Sequence, residues 1–182
     1  MKYRRTRCRK AVSVVTATGS AAAMSLCLVG TASAAPNPRN CVSQGSISFS
    51  PGLRTASSTT ISLTGSGRLI ACQDLGVLTG LTADYTLTGS GNASCLTQNF
   101  TATQTIHWNN GNTSVVSMSS VIGALGTVAF AGTVTSGELA NNPVAFPITV
   151  APGDLANYIL ACASPGGATR ASILGDEIFL AQ

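Results

Sequence analysis

LTADYTLTG, residues 81–89, carries the period that decides the fold. Leu81, Ala83, Tyr85 and Leu87 fall on alternate positions, with Thr82, Asp84, Thr86 and Thr88 between them. Successive side chains of a strand point to opposite faces, so this spacing makes one apolar face and one polar face. The period returns in TVAFAGTVT, residues 127–135, through Val128, Phe130, Gly132 and Val134. It returns again in VAFPITV, residues 144–150, through Val144, Phe146, Ile148 and Val150. Shorter runs at 47–49, 61–63, 115–118 and 168–174 read as further strands, separated by SPGL, TGSG, NNGN, NNP and SPGG as turns. Many short half-buried strands with Gly, Pro and Asn punctuation predict an all-β fold, an antiparallel β-sandwich of immunoglobulin-like or related type. Pro147 cannot donate to a ladder, so its strand is expected to be an edge or to carry a bulge. Only GDLANYILA, residues 153–161, predicts a helix, a short one with Asp154 as N-cap and Leu155, Tyr158 and Ile159 at helical spacing.

Residues 1–34 read as a secretory leader. Lys2, Arg4, Arg5, Arg7, Arg9 and Lys10 precede an uncharged, moderately apolar run that closes on ASA at 32–34, a small-residue cleavage signal. The run is too diluted by Gly, Ser and Thr to predict a membrane anchor. Residues 35–182 are then a single domain with Arg39, Arg54, Arg68 and Arg170 against six carboxylates, a net charge of −2 with no lysine. Such a chain has no electrostatic footprint for nucleic acid or for an anionic membrane, so neither partner is expected after cleavage. The expected localisation is secreted, in the extracellular space.

Cysteine usage agrees with export. Cys41, Cys72, Cys95 and Cys162 remain past the leader, an even number in no C-x-x-C pair, and His107 alone cannot complete a metal shell with them. Two disulfides are expected, with three pairings open. If Cys41 opens the first strand and the 61–64 segment returns antiparallel to it, Cys72 ends close to Cys41, which favours Cys41 with Cys72 and Cys95 with Cys162.

The rare residues gather in TIHWNNGNTSVVS, residues 105–117, which holds the single histidine and single tryptophan. Asn110-Gly111 signals a two-residue hairpin, which sets Trp108 opposite Thr113, His107 opposite Ser114 and Ile106 opposite Val115. Trp108 and Ile106 then share the core face with Phe100 and Ala102, while His107 looks outward. The ligand-binding candidate in this stretch is a sugar-stacking patch of Trp108 with Asn109, Asn110 and Asn112, an indole face beside paired amide donors and acceptors.

Catalytic equipment is not legible. His107 has no carboxylate near it in sequence, and GSG at 65–67 and 89–91 reads as turn chemistry, not as a nucleophile elbow. The six carboxylates lie singly, apart from Asp176-Glu177, whose side chains diverge if adjacent in a strand, and each is expected to be a solvated surface charge. No phosphate-binding, dinucleotide or calcium loop is present in the sequence. The chain is therefore expected to be non-enzymatic and without a cofactor or metal.

CVSQGSISFSPGL, the IHWNNGNTS hairpin, GTVTSGELA and CASPGGATRASILG, in this order, resemble a group of small exported all-β proteins of actinobacteria with unassigned function. The resemblance spans almost all of residues 35–182 and implies a secreted domain with no catalytic residues to carry over. The function expected is that of a surface-acting or binding domain at the cell envelope. The alternatives are a carbohydrate-binding module using Trp108, with a cell-wall glycan as partner, or a small inhibitor of a secreted hydrolase presenting residues 50–58 or 138–143.

Overall fold

A computed structural model describes residues 38–55 and 58–180. The leader expected at 1–34 lies outside these residues. The elements in chain order are β1 (Arg39–Leu53), β2 (Thr59–Asp74), β3 (Val77–Leu78), β4 (Ala83–Ala93), β5 (Gln98–Trp108), β6 (Thr113–Ala124), β7 (Thr127–Gly137), β8 (Pro143–Val150), α1 (Leu155–Ala163) and β9 (Ala168–Phe179). The fold is all-β with one short helix.

The strands form one antiparallel sheet in the order β1-β9-β8-β7-β6-β5-β4-β2-β3, and β1 also pairs with β2. That last pairing runs from Arg39 beside Asp74 to Ser50 beside Ser62, so the sheet closes on itself as an eight-stranded barrel with β3 appended to β2. The expected sandwich is corrected by this closure: two facing sheets would leave open edges, and here β2 and β9 both pair with β1. Eight strands enclose a space that side chains just fill. Cys41, Ile47, Leu63, Leu69, Tyr85, Leu87, Phe100, Ile106, Val116, Phe130, Phe146, Ile148, Ile173 and Phe179 fill it.

The TGSG segments are not turns. Both lie inside strands, where Leu63 pairs Gly89, Thr64 pairs Thr88 and Gly65 pairs Leu87, so each inward leucine sits beside an inward glycine. Gly45 and Gly67 leave the space taken by the Tyr85 phenol, since a Cβ on them would lie 2.7 and 2.5 Å from its hydroxyl oxygen. Pro147 is on neither an edge nor a bulge. It pairs with Ala129 of β7, and the β8–β9 ladder skips from Ala145–Ile178 to Ile148–Gly175 where the proline lacks its N–H.

The two disulfides, Cys41–Cys72 and Cys95–Cys162, are the pairs the topological argument favours. The first crosses the β1–β2 seam. The second ties the β4–β5 loop to α1, whose N-cap is Asp154 without a side-chain cap bond. Two such bonds suit an oxidising, extracellular environment. Among the described residues no helix is long and apolar enough to cross a membrane.

Candidate functional site

Trp108 ends β5, and the alternation that buries Phe100, Ala102, Gln104 and Ile106 turns it inward, 3% exposed. The hairpin beyond it has three loop residues. Gly111 donates its N–H to the Trp108 carbonyl at 3.0 Å and Trp108 donates to the Asn112 carbonyl at 2.9 Å, with Gly111 at φ +88°. This is the geometry of a turn closed by a left-handed glycine, and it shifts the register by one from the expected two-residue turn. His107 pairs Thr113 and Ile106 pairs Ser114. The shift turns Ser114 inward, and the indole Nε1 donates to its Oγ at 2.9 Å. The ring packs on Phe179, centroids 5.8 Å apart, beneath the Arg39 guanidinium at 5.0 Å. No free indole face is left for a sugar, which corrects the stacking expectation.

The three asparagines hold the hairpin to its neighbours. Asn109 accepts the Thr82 N–H and donates to the Gly80 carbonyl, both at 3.3 Å. Asn110 and Asn112 each donate a side-chain N–H to Glu138 Oε2 at 2.9 Å. The other Glu138 oxygen accepts from Arg39 Nη1 at 2.6 Å, while Arg39 Nε donates to Asp74 at 2.9 Å. Arg39 thus gathers β1, β2, β5 and the β7–β8 loop at one end of the barrel. Burial opposes its charge, yet the bonds from Asp74 and Glu138 outweigh it and hold the guanidinium above its usual pKa. Burial likewise opposes the Glu138 charge, and the bonds from Arg39, Asn110 and Asn112 hold its carboxyl below the usual range. The expectation of a solvated Glu138 is corrected: the carboxylate clamps two loops.

Glu177 departs further from that expectation. It lies inward on β9 with Ile173 and Phe179 and is fully buried. Gln104 Nε2 donates to its Oε2 at 2.9 Å, while Glu177 Oε1 and Gln104 Oε1 have no partner. Burial pushes its pKa up to about 8, so at neutral pH it is chiefly the acid. A protonated carboxyl carries one O–H donor in place of a buried charge. Nearby, Ser43 donates its hydroxyl to Tyr85 at 3.1 Å. Sequence parity could have found Glu177, since residues 171 to 179 alternate inward.

The outer face sets Asp84 opposite His107. Asp84 is engaged by Arg68 at 3.1 Å, and the His107 ring instead lies 3.4 Å from the Thr113 hydroxyl. Asp84 and His107 are thus not bonded to each other, and among the described residues no group of three His, Cys, Asp or Glu could hold a metal. At the opposite end of the barrel, Ile47, Phe49, Val128, Ile148, Ile173 and Tyr158 of α1 surround a cavity of about 30 Å³, room for a water and not for a substrate. In the segments expected as inhibitor loops, several backbone groups are bonded. The Arg54 carbonyl accepts the Cys95 N–H at 2.9 Å, and 138–142 is folded by its own backbone bonds, Asn142 to Leu139 among them. Comparison with protein-family models, with curated proteins and with solved structures found no match.

Proposed function

We propose that this chain is an exported, non-enzymatic domain that acts through its surface at the cell envelope, like the actinobacterial group its motifs resemble. The observation that carries this reading is the filled barrel whose polar equipment is spent internally: Trp108 on Ser114, Glu138 on Arg39 and two asparagines, Glu177 on Gln104. A catalytic cleft needs polar groups converging on a space, and these three side chains turn to their own partners instead. The strands alternate apolar inward and Thr or Ser outward, the reverse of a barrel that faces lipid with its wall, which supports a water-facing wall.

Fractionation of the exporting host tests it. The full chain, carrying a C-terminal tag, is expected in the envelope fraction. Recovery from the medium alone, or turnover of a hydrolase substrate that His107→Ala abolishes, would overturn the reading.

A further inference from the structure

The turn between β2 and β3 ends in an apolar projection. Leu75, Val77 and Leu78 are 64%, 67% and 65% exposed. Leu75 at φ +53° and Gly76 at φ +79° make the two positive angles of a primed turn, where Asn and Gly are at ease and a leucine is strained. Backbone strain and water both oppose Leu75, yet a large apolar side chain stands there.

The projection is tied at its base. Cys72 beneath it is bonded to Cys41, the backbone N–H and the hydroxyl of Thr79 both donate to the Cys72 carbonyl at 3.0 Å, and Asp74 is held by Arg39. The projection is continuous with the barrel rim, since Leu75 donates to the Pro38 carbonyl at 3.3 Å and Arg39 pairs Phe179, which brings the half-exposed Leu180 alongside.

We infer that this projection is a lipid-contact element: Leu75, Val77 and Leu78, with Leu180 at the rim, seat in the acyl boundary of a bilayer, which deepens the envelope reading and rests on it. A convex tip that presents three aliphatic side chains, with the Asp74 carboxylate at its base held by Arg39, suits the acyl boundary. Its exposed area is a few hundred Å², below the roughly 800 Å² per partner of a standard protein interface, so a second copy would be held poorly. Residues 1–37 join the barrel at Pro38, so the expected leader, while membrane-held during export, brings this end to the bilayer. Low charge excludes electrostatic attraction to an anionic surface but not this contact.

The test is flotation of the exported protein with vesicles of phosphatidylcholine, alone and mixed with phosphatidylglycerol, at low and high salt. Wild-type protein is expected to float equally in all four conditions. L75N/V77T/L78S is expected to lose binding by about tenfold or more while melting no lower, because asparagine suits the positive φ. L155S/L160S, on the exposed face of α1 at the opposite end, is the control and binds as wild type. Binding that follows salt or anionic lipid overturns the inference, as does loss in the α1 variant alone, or a concentration-dependent dimer that the tip variant abolishes. Wild-type protein that pellets with envelopes yet ignores vesicles overturns the lipid contact and leaves the envelope reading standing; protein that does neither overturns both.

Discussion

Glu177 ties stability to pH in an unusual direction. Its pKa stands at about 8 in the barrel against 4.5 for an ordinary glutamate, because burial disfavours the charge. Between these values the folded chain binds the proton more tightly than the unfolded chain, so stability is full below about pH 4.5 and drains as pH rises towards 8. Tm measured from pH 5 to 9 is expected to fall over this window, and Glu177→Gln, which keeps the shape and cannot ionise, is expected to flatten the fall. A slope unchanged in the variant would remove Glu177 as its source. Glu138 acts with the opposite sign: its lowered pKa contributes stability above the ordinary carboxylate range that is lost as pH falls, and Glu138→Gln should flatten that acid limb instead. Trp108 is expected to emit in the blue, unmoved by wall glycans. Its inward parity with Ile106 was legible in the sequence. Its hydrogen bond to Ser114 and its stacking beneath Arg39 were not, because one depends on the hairpin register and the other on a residue far away in the chain.

At the scale of elements, period two identified β4, β7 and β8 with the correct inward residues, since Tyr85, Phe130 and Phe146 are buried as their alternation requires. It misjudged the glycines. In TGSG, residues 64–67 and 88–91, glycine marks a bend by composition, and only the neighbouring strand reveals that its missing side chain is filled by Tyr85 or Leu87. Gly67→Ala is the corresponding test. The added methyl would meet the Tyr85 hydroxyl at 2.5 Å and the backbone of β1 closer still. Overpacking of this kind costs about 1–3 kcal/mol, readable in urea denaturation, and a variant as stable as wild type would mean that the ring moves aside freely. The β5–β6 register failed for a related reason: Asn-Gly permits both a two-residue turn and a three-residue turn closed by Gly111, and the choice is made by Ser114 turning in to take the indole N–H.

The barrel as a whole was the least legible feature, because closure is a property of which strands meet and not of any strand's pattern. Each alternating segment would look the same in a sandwich, and β1 carries no mark that it pairs with both β2 and β9. The disulfides reveal more, since Cys41 and Cys72 straddle the seam that closes the barrel. Cys95 and Cys162 hold the short, uncharged α1 over the apolar cavity at the far end, where Tyr158 is its buried contact. A bond spanning 67 residues is worth roughly 4 kcal/mol through the unfolded chain, but its local effect is more specific. With Cys95→Ala and Cys162→Ala together, α1 keeps few tethers and is expected to open before the barrel does. Hydrogen exchange should then show the Tyr158 amide, bonded to the Asp154 carbonyl at 2.9 Å, losing protection while β5 and β6 amides keep theirs, with a hydrophobic dye binding the uncovered end. Exchange of the α1 amides at the global rate would instead mean that burial of Tyr158 alone makes the helix an integral part of the barrel.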